Sequence, residues 1–127
     1  MDTNTFWHLI KSTQGKNQPQ LLEQVLSQYP LEEVEDFDRI FNSLYSEHYK
    51  ANGLLWVALT EVVGFVSDDS FIYFMCWLIG QGEQVYSEVT MHPARVREFV
   101  LKGSEWQCEE MLYVGMNAIE KINGVTQ

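Results

Sequence analysis

An all-α fold, a compact single-domain bundle of about seven or eight helices, is what this sequence predicts, and three observations predict it. Apolar residues recur at steps of three and four through most of the chain, the spacing that lays them along one face of a helix. Breakers such as Gly15, Pro19, Pro30, Gly80, Gly82, Pro93 and Gly103 interrupt that pattern at helix-length intervals. The most apolar runs are about ten residues long and do not alternate, which favours helices over a strand pair. With 127 residues, 46% of them hydrophobic, including seven Phe, six Tyr and four Trp, the chain can fill one core, so residues 1–127 read as one domain.

The first helix is expected to begin at Asn4 or Thr5, carry Phe6, Trp7 and Ile10 on its inner face and end near Gly15. Pro19 suits the first turn of a second helix, striped with Leu21, Leu22, Val25, Leu26 and Tyr29 and stopped by Pro30. From Leu31, the positions Val34, Phe37, Phe41, Leu44, Tyr45 and His48 describe a long amphipathic helix.

Residues 54–63 and 71–79 are apolar on nearly every side and are expected to pack together as the centre of the core. Gly64 would close the first, and Ser67, Asp68 or Asp69 would cap the second. Val85, Tyr86 and Val89 mark another helix. Pro93 opens a short one with Val96, Phe99 and Val100 inward and Arg95, Arg97 and Lys102 outward, the only basic patch. Ser104, three residues before Gln107, suggests a capping box for a last helix lined by Cys108, Met111, Leu112, Ala118, Ile119 and Ile122 and ended by Gly124.

Eight Lys and Arg against eighteen Asp and Glu give a formal charge of −10, with a pI near 4.5. Phosphate neutralisation needs clustered cations, so nucleic acid is not an expected partner, and an anionic membrane surface would be repelled. The charge would steer a cationic protein, although keeping the chain soluble explains it equally well. Cys76 and Cys108 fall in apolar patterns and read as buried free thiols. Met1 leads into no basic or apolar leader, and the longest apolar stretch is about half a bilayer span, so a cytoplasmic protein is expected.

Few residues point to chemistry. Asp68-Asp69 and Glu109-Glu110 are adjacent carboxylates, but neighbours in sequence do not converge on a helix. His8, His48 and His92 lie forty or more residues apart, so no metal site is expected, and no nucleophile motif or phosphate-binding glycine loop is present. No catalytic residue and no cofactor are assigned. The most pronounced polar feature is the acidic run Glu32, Glu33, Glu35, Asp36 and Asp38, with Glu105, Glu109 and Glu110 as a second group. Both are candidate partner-binding surfaces, and the first also suits the N-terminal half of its helix on electrostatic grounds alone.

The segment SDDSFIYFMCWLIGQG, residues 67–82, resembles the signature of a bacterial family known as domain of unknown function 4240. Thr5-Phe6-Trp7-His8-Leu9-Ile10 resembles that family's opening helix, Leu54 to Ala58 with Trp56 its central one, and Cys108-Glu109-Glu110 with Tyr113 its closing one. The resemblance covers nearly the whole chain, least well at 93–102. It implies a bacterial, helical, single-domain protein and supplies no activity; whether Ser67, Asp68 and Asp69 form a helix cap or a polar site it leaves open.

The leading expectation is an interaction protein, most specifically an immunity protein whose acidic helical face neutralises a toxin or effector domain by covering a cationic cleft. The alternatives are a regulatory or adaptor domain holding a small molecule near Trp56, Tyr73 and Trp77, and an enzyme using Asp68 and Asp69 with His48 or Glu110. The oligomeric state stays open.

Overall fold

The computed structural model describes residues 1–50, 53–101 and 103–124. Among them are seven α-helices and two 3₁₀ helices, with no strand: α1 (Thr3–Ser12), α2 (Gln18–Leu26), α3 (Leu31–Glu47), α4 (Leu54–Val63), α5 (Asp68–Gly80), α6 (Glu83–Met91), a 3₁₀ helix at Pro93–Glu98, a second at Glu109–Tyr113, and α7 (Val114–Ile122). The expected all-α bundle is the observed one.

Local chemistry sets most boundaries. Asp2 rather than Asn4 or Thr5 caps α1, because its carboxylate accepts the Thr5 N–H at 2.8 Å and starts the helix at Thr3. Pro19 sits in the first turn of α2, where it forfeits no hydrogen bond. Gly64 ends α4 at φ 101°, a conformation that strains a residue bearing a Cβ. At α5 the reciprocal bonds of a capping box are formed by Ser67 and Ser70: the Ser70 N–H donates to Ser67 Oγ at 3.1 Å and the Ser67 N–H to Ser70 Oγ at 2.7 Å. Asp68 and Asp69 follow in the first turn, exposed, so the cap is Ser67 and not either carboxylate.

α5 lies at the centre. It touches α1, α3, α6 and the second 3₁₀ helix, and buries Phe71, Phe74, Met75, Cys76, Leu78, Ile79 and Gly80. Around it, Phe6 of α1 meets Phe37 of α3 at 4.8 Å between ring centroids, and α7 closes against α2 and α3. Its C-terminal end is held by two amides. Gln18, 8% exposed, donates from Nε2 to the carbonyls of Ile10 and Gly80, and Gln14 donates to those of Gly80 and Gln81, satisfying orphan carbonyls of the last turn. Gln18 Oε1 sits 2.6 Å from where a Cβ on Gly80 would be, so any larger residue there displaces that amide. Gly115 is more tightly constrained, since a Cβ there would meet Asp38 of α3 as far back as its own Cβ, at 2.8 Å.

Three expectations are corrected. α4 is not part of the core's centre: only Leu55 and Leu59 are buried, while Leu54 is 82% and Val57 44% exposed, and the helix packs chiefly on the 3₁₀ helix Pro93–Glu98. Its one link to α5 in the aromatic core is the Trp56–Phe71 stack, 4.9 Å between centroids. Leu21 of α2 faces solvent. Ser104 opens no helix, because its hydroxyl donates to the Leu101 carbonyl at 2.6 Å and accepts the Leu101 N–H at 3.1 Å. The Cys108 N–H is instead taken by the Tyr73 carbonyl of α5 at 3.0 Å, so the chain runs irregularly from 105 to 108, and Cys108, Met111 and Leu112 precede α7 rather than line it. Lys102 lies outside the described residues.

Candidate functional site

Helix start, signature and closing segment meet on one face. The Ser67–Ser70 box fixes the first turn of α5, which leaves Asp68 and Asp69 exposed and places Tyr73 one turn on from Asp69. The Cys108–Tyr73 backbone bond then docks the second 3₁₀ helix beside that turn, and there the Tyr113 hydroxyl donates to Glu109 Oε2 at 3.3 Å. Loss of solvent, then the neighbouring charges of Glu109 and Asp69, hold the Tyr73 phenol above its usual pKa. Tyr113 is raised in the same way, by desolvation first and Glu109 next. On the flank, Tyr49 is raised by desolvation and by Asp68.

Behind these groups stands a ring stack in which Trp56 and Tyr49 meet Phe71, and Phe71 meets Phe74. Asp68, Asp69 and Glu109 form no ion pair among the described residues. Exposed carboxylates interleaved with phenols can accept charge-assisted hydrogen bonds from guanidinium or ammonium groups, and the Tyr49 and Trp56 rings, which reach solvent where Phe71 and Phe74 do not, can carry cation–π contacts.

The run at 32–38 is divided. Glu32 and Glu35 are exposed, whereas the Met1 ammonium holds Glu33 at 2.7 Å and Asp36 at 2.5 Å, and Arg39 takes the other oxygen of Asp36 at 2.7 Å. That ammonium, backed by Arg39, holds the Asp36 carboxyl below its usual range. Asp38 turns inward against Gly115, accepts from Asn42 at 3.4 Å, and burial raises its pKa. In the second group, Glu105 and Glu110 are exposed, and Glu110 accepts from Gln20 at 2.9 Å.

Other candidate groupings are not assembled. His48 lies edge-on to Tyr86 and lines a depression with Glu47, Leu54 and Met91, and Glu110 faces Gln20, so neither is placed beside Asp68 and Asp69 by a contact among the described residues. Trp56 and Trp77 line different depressions, and Trp77 shares its own with Cys76 and Cys108. Both thiols are free; burial, with Cys108 nearby, pushes that of Cys76 up to about 12. The described residues contain no group of three His, Cys, Asp or Glu suited to a metal ion, and no single helix among them is long and apolar enough to cross a membrane.

Charge alone does not mark Tyr73 and Tyr113 as part of the acidic surface. The signal for them was the repeated four-residue step, Asp69 to Tyr73 and Glu109 to Tyr113, which stacks acid and phenol on a helix and brings them near in a 3₁₀ turn. No curated protein and no solved structure matches the chain. Over residues 1–121 it matches the family described as Protein of unknown function (DUF4240), and to that family it belongs.

Proposed function

We propose that this chain is an interaction protein that covers a cationic surface of another protein, as an immunity protein covers the substrate cleft of its toxin, and that the face it uses is Asp68, Asp69 and Glu109 with Tyr73 and Tyr113. The observation that carries the reading is the convergence of Asp69, Glu109, Tyr73 and Tyr113, from segments about forty apart in sequence, with Asp68 beside Tyr49 on the flank, into a group whose carboxylates the chain leaves without a counter-cation among the described residues. At 32–38, by contrast, Met1 and Arg39 already occupy Glu33 and Asp36.

The physical case rests on preorganisation. Tyr73, half-buried on α5, and Tyr113, bonded to Glu109, are partly ordered before association, and Tyr and Arg are both enriched at the centre of protein interfaces. A net charge of −10 adds long-range steering toward a basic partner.

Co-expression with the product of the neighbouring gene tests the reading. That product alone should arrest growth, this chain should restore it, D69K/E109K should abolish the rescue, and E32K/E35K should retain it. A harmless neighbour, or no rescue by the wild type, refutes the function; rescue that survives D69K/E109K refutes the face.

A further inference from the structure

Large exposed apolar side chains gather along and just beyond α4. Steps of three and four place Leu54, Val57 and Glu61 on one side of α4, and the chain emerging from Gly64 sets Phe65 beside Val57 and Glu61, around a shallow depression of about 390 Å³. Leu54 is 82% exposed and Phe65 80%. At the other end of α4, Met91, 72% exposed, lines a second depression with Leu54. A run of large apolar side chains this exposed is unusual on a folded surface and marks a contact site.

We infer that this stripe, Leu54–Val57–Phe65 with Met91 at its end, is the self-association surface of the protein, on which a second copy of the chain docks about a two-fold axis. Charge selects that occupant. Each copy carries −10, so most pairings of two copies bring net negative faces together. Along α4 the balance is different: Arg95 sits with Glu88 and Glu98, and Arg97 stands 3.9 Å from Glu61 with both side chains about two-thirds exposed. A pair that open is weak within one chain. In an isologous contact, where a patch meets its own copy, Glu61 of each chain can reach Arg97 of the other, so the pair is made twice around an apolar centre.

The stripe is distinct from the acid and phenol face, so the two readings succeed or fail separately. Light scattering behind size-exclusion chromatography, with sedimentation velocity on the full chain from low to high micromolar concentration, measures the assembly. A concentration-dependent dimer is expected, weakened at least about tenfold in L54E/F65E. Both positions are exposed, circular dichroism of L54E/F65E verifies that the fold is kept, and L54A/F65A should weaken the dimer as well. E61R and R97E should each weaken the dimer, and E61R/R97E should restore it. A wild type that stays monomeric throughout, a dimer that survives L54E/F65E, or a charge swap that restores nothing overturns the proposal, whatever the rescue assay shows.

Discussion

α4 and α5 are nearly indistinguishable as strings of letters and opposite as pieces of a structure. Both are apolar on almost every side, both lack a polar stripe, and they are joined through Gly64 to Ser67 at a bend of 95°. α5 is enclosed by α1, α3, α6 and the second 3₁₀ helix, whereas α4 rests chiefly on one short 3₁₀ helix and leaves Leu54 and Val57 in solvent. The difference lies in the neighbours. α1 and α3 each present one apolar stripe, and a stripe buries what lies along it; α5 receives several of them, and α4 receives little of any. Apolar composition therefore states how much a helix can bury, and the partners decide how much it does.

Truncation at the middle of α5 gives the largest expected effect. Phe74 is 0% exposed and contacts Phe71, Trp77 and Trp106, so Phe74→Ala should cost about 3–5 kcal/mol. Chemical denaturation of purified variants measures it. A loss no larger than that of Leu55→Ala in α4 would erase the contrast between the helices.

Next comes the closed end of α5. Gly80→Ala would drive a methyl into Gln18 Oε1, and that amide cannot withdraw without dropping its bonds to Ile10 and Gly80, so a loss of about 1–3 kcal/mol is expected. Gly80→Ala combined with Gln18→Ala should recover little of it, since the carbonyls of Ile10 and Gly80 then lose that donor. Full recovery in the double variant would show that the clash alone mattered.

The open end of α5 separates cap from site. Ser67→Ala removes the acceptor for the Ser70 N–H and should cost about 1 kcal/mol. Asp69→Asn keeps the cap and loses only the favourable placement of charge at the helix start, about 0.3–1 kcal/mol at low salt. The two should part further in function, with Asp69→Asn weakening rescue of the neighbouring product and Ser67→Ala leaving it intact at permissive temperature. Loss of rescue in both, in proportion to melting temperature, would reduce Asp68 and Asp69 to helix-start charges.

How far the sequence disclosed this arrangement follows from the range of each signal. Helix identity and most ends are written locally: the 3.6-residue period, Pro19 in the first turn of α2, Gly64 after α4 and Ser67 before α5 all act within a few residues. Asp2 was passed over as the cap of α1 although the signal is of the same kind. What stayed hidden depends on distant partners. Ser104 followed by Gln107 satisfies a capping pattern, yet the Tyr73 carbonyl, 35 residues upstream of Cys108, takes the N–H that fixes the path there. Gln18 resembled any polar residue near a helix start, and only its contact with Gly80 makes it a buried bracket. The acidic run at 32–38 was visible as charge, but its partial neutralisation by Met1 and the inward turn of Asp38 onto Gly115 were not, because neither partner is near in sequence.

The smallest stability effect is expected at Leu54, and it is the most pointed test of the contrast. A leucine 82% exposed has little solvent-shielded area to lose, and as the first residue of α4 it is outside the helix interior, so Leu54→Ser in the monomer should shift stability by no more than about 0.5 kcal/mol. The same change made at Leu55, 6% exposed and one residue along, should cost several times more. Measured by thermal melts over a range of protein concentrations, Leu54→Ser carries a second reading: assembly through α4 adds stability that grows with concentration in the wild type and should be reduced in the variant. If Leu54→Ser proves as damaging as Leu55→Ser at the lowest concentration, α4 is buried in the solution monomer and the division between the two helices is wrong.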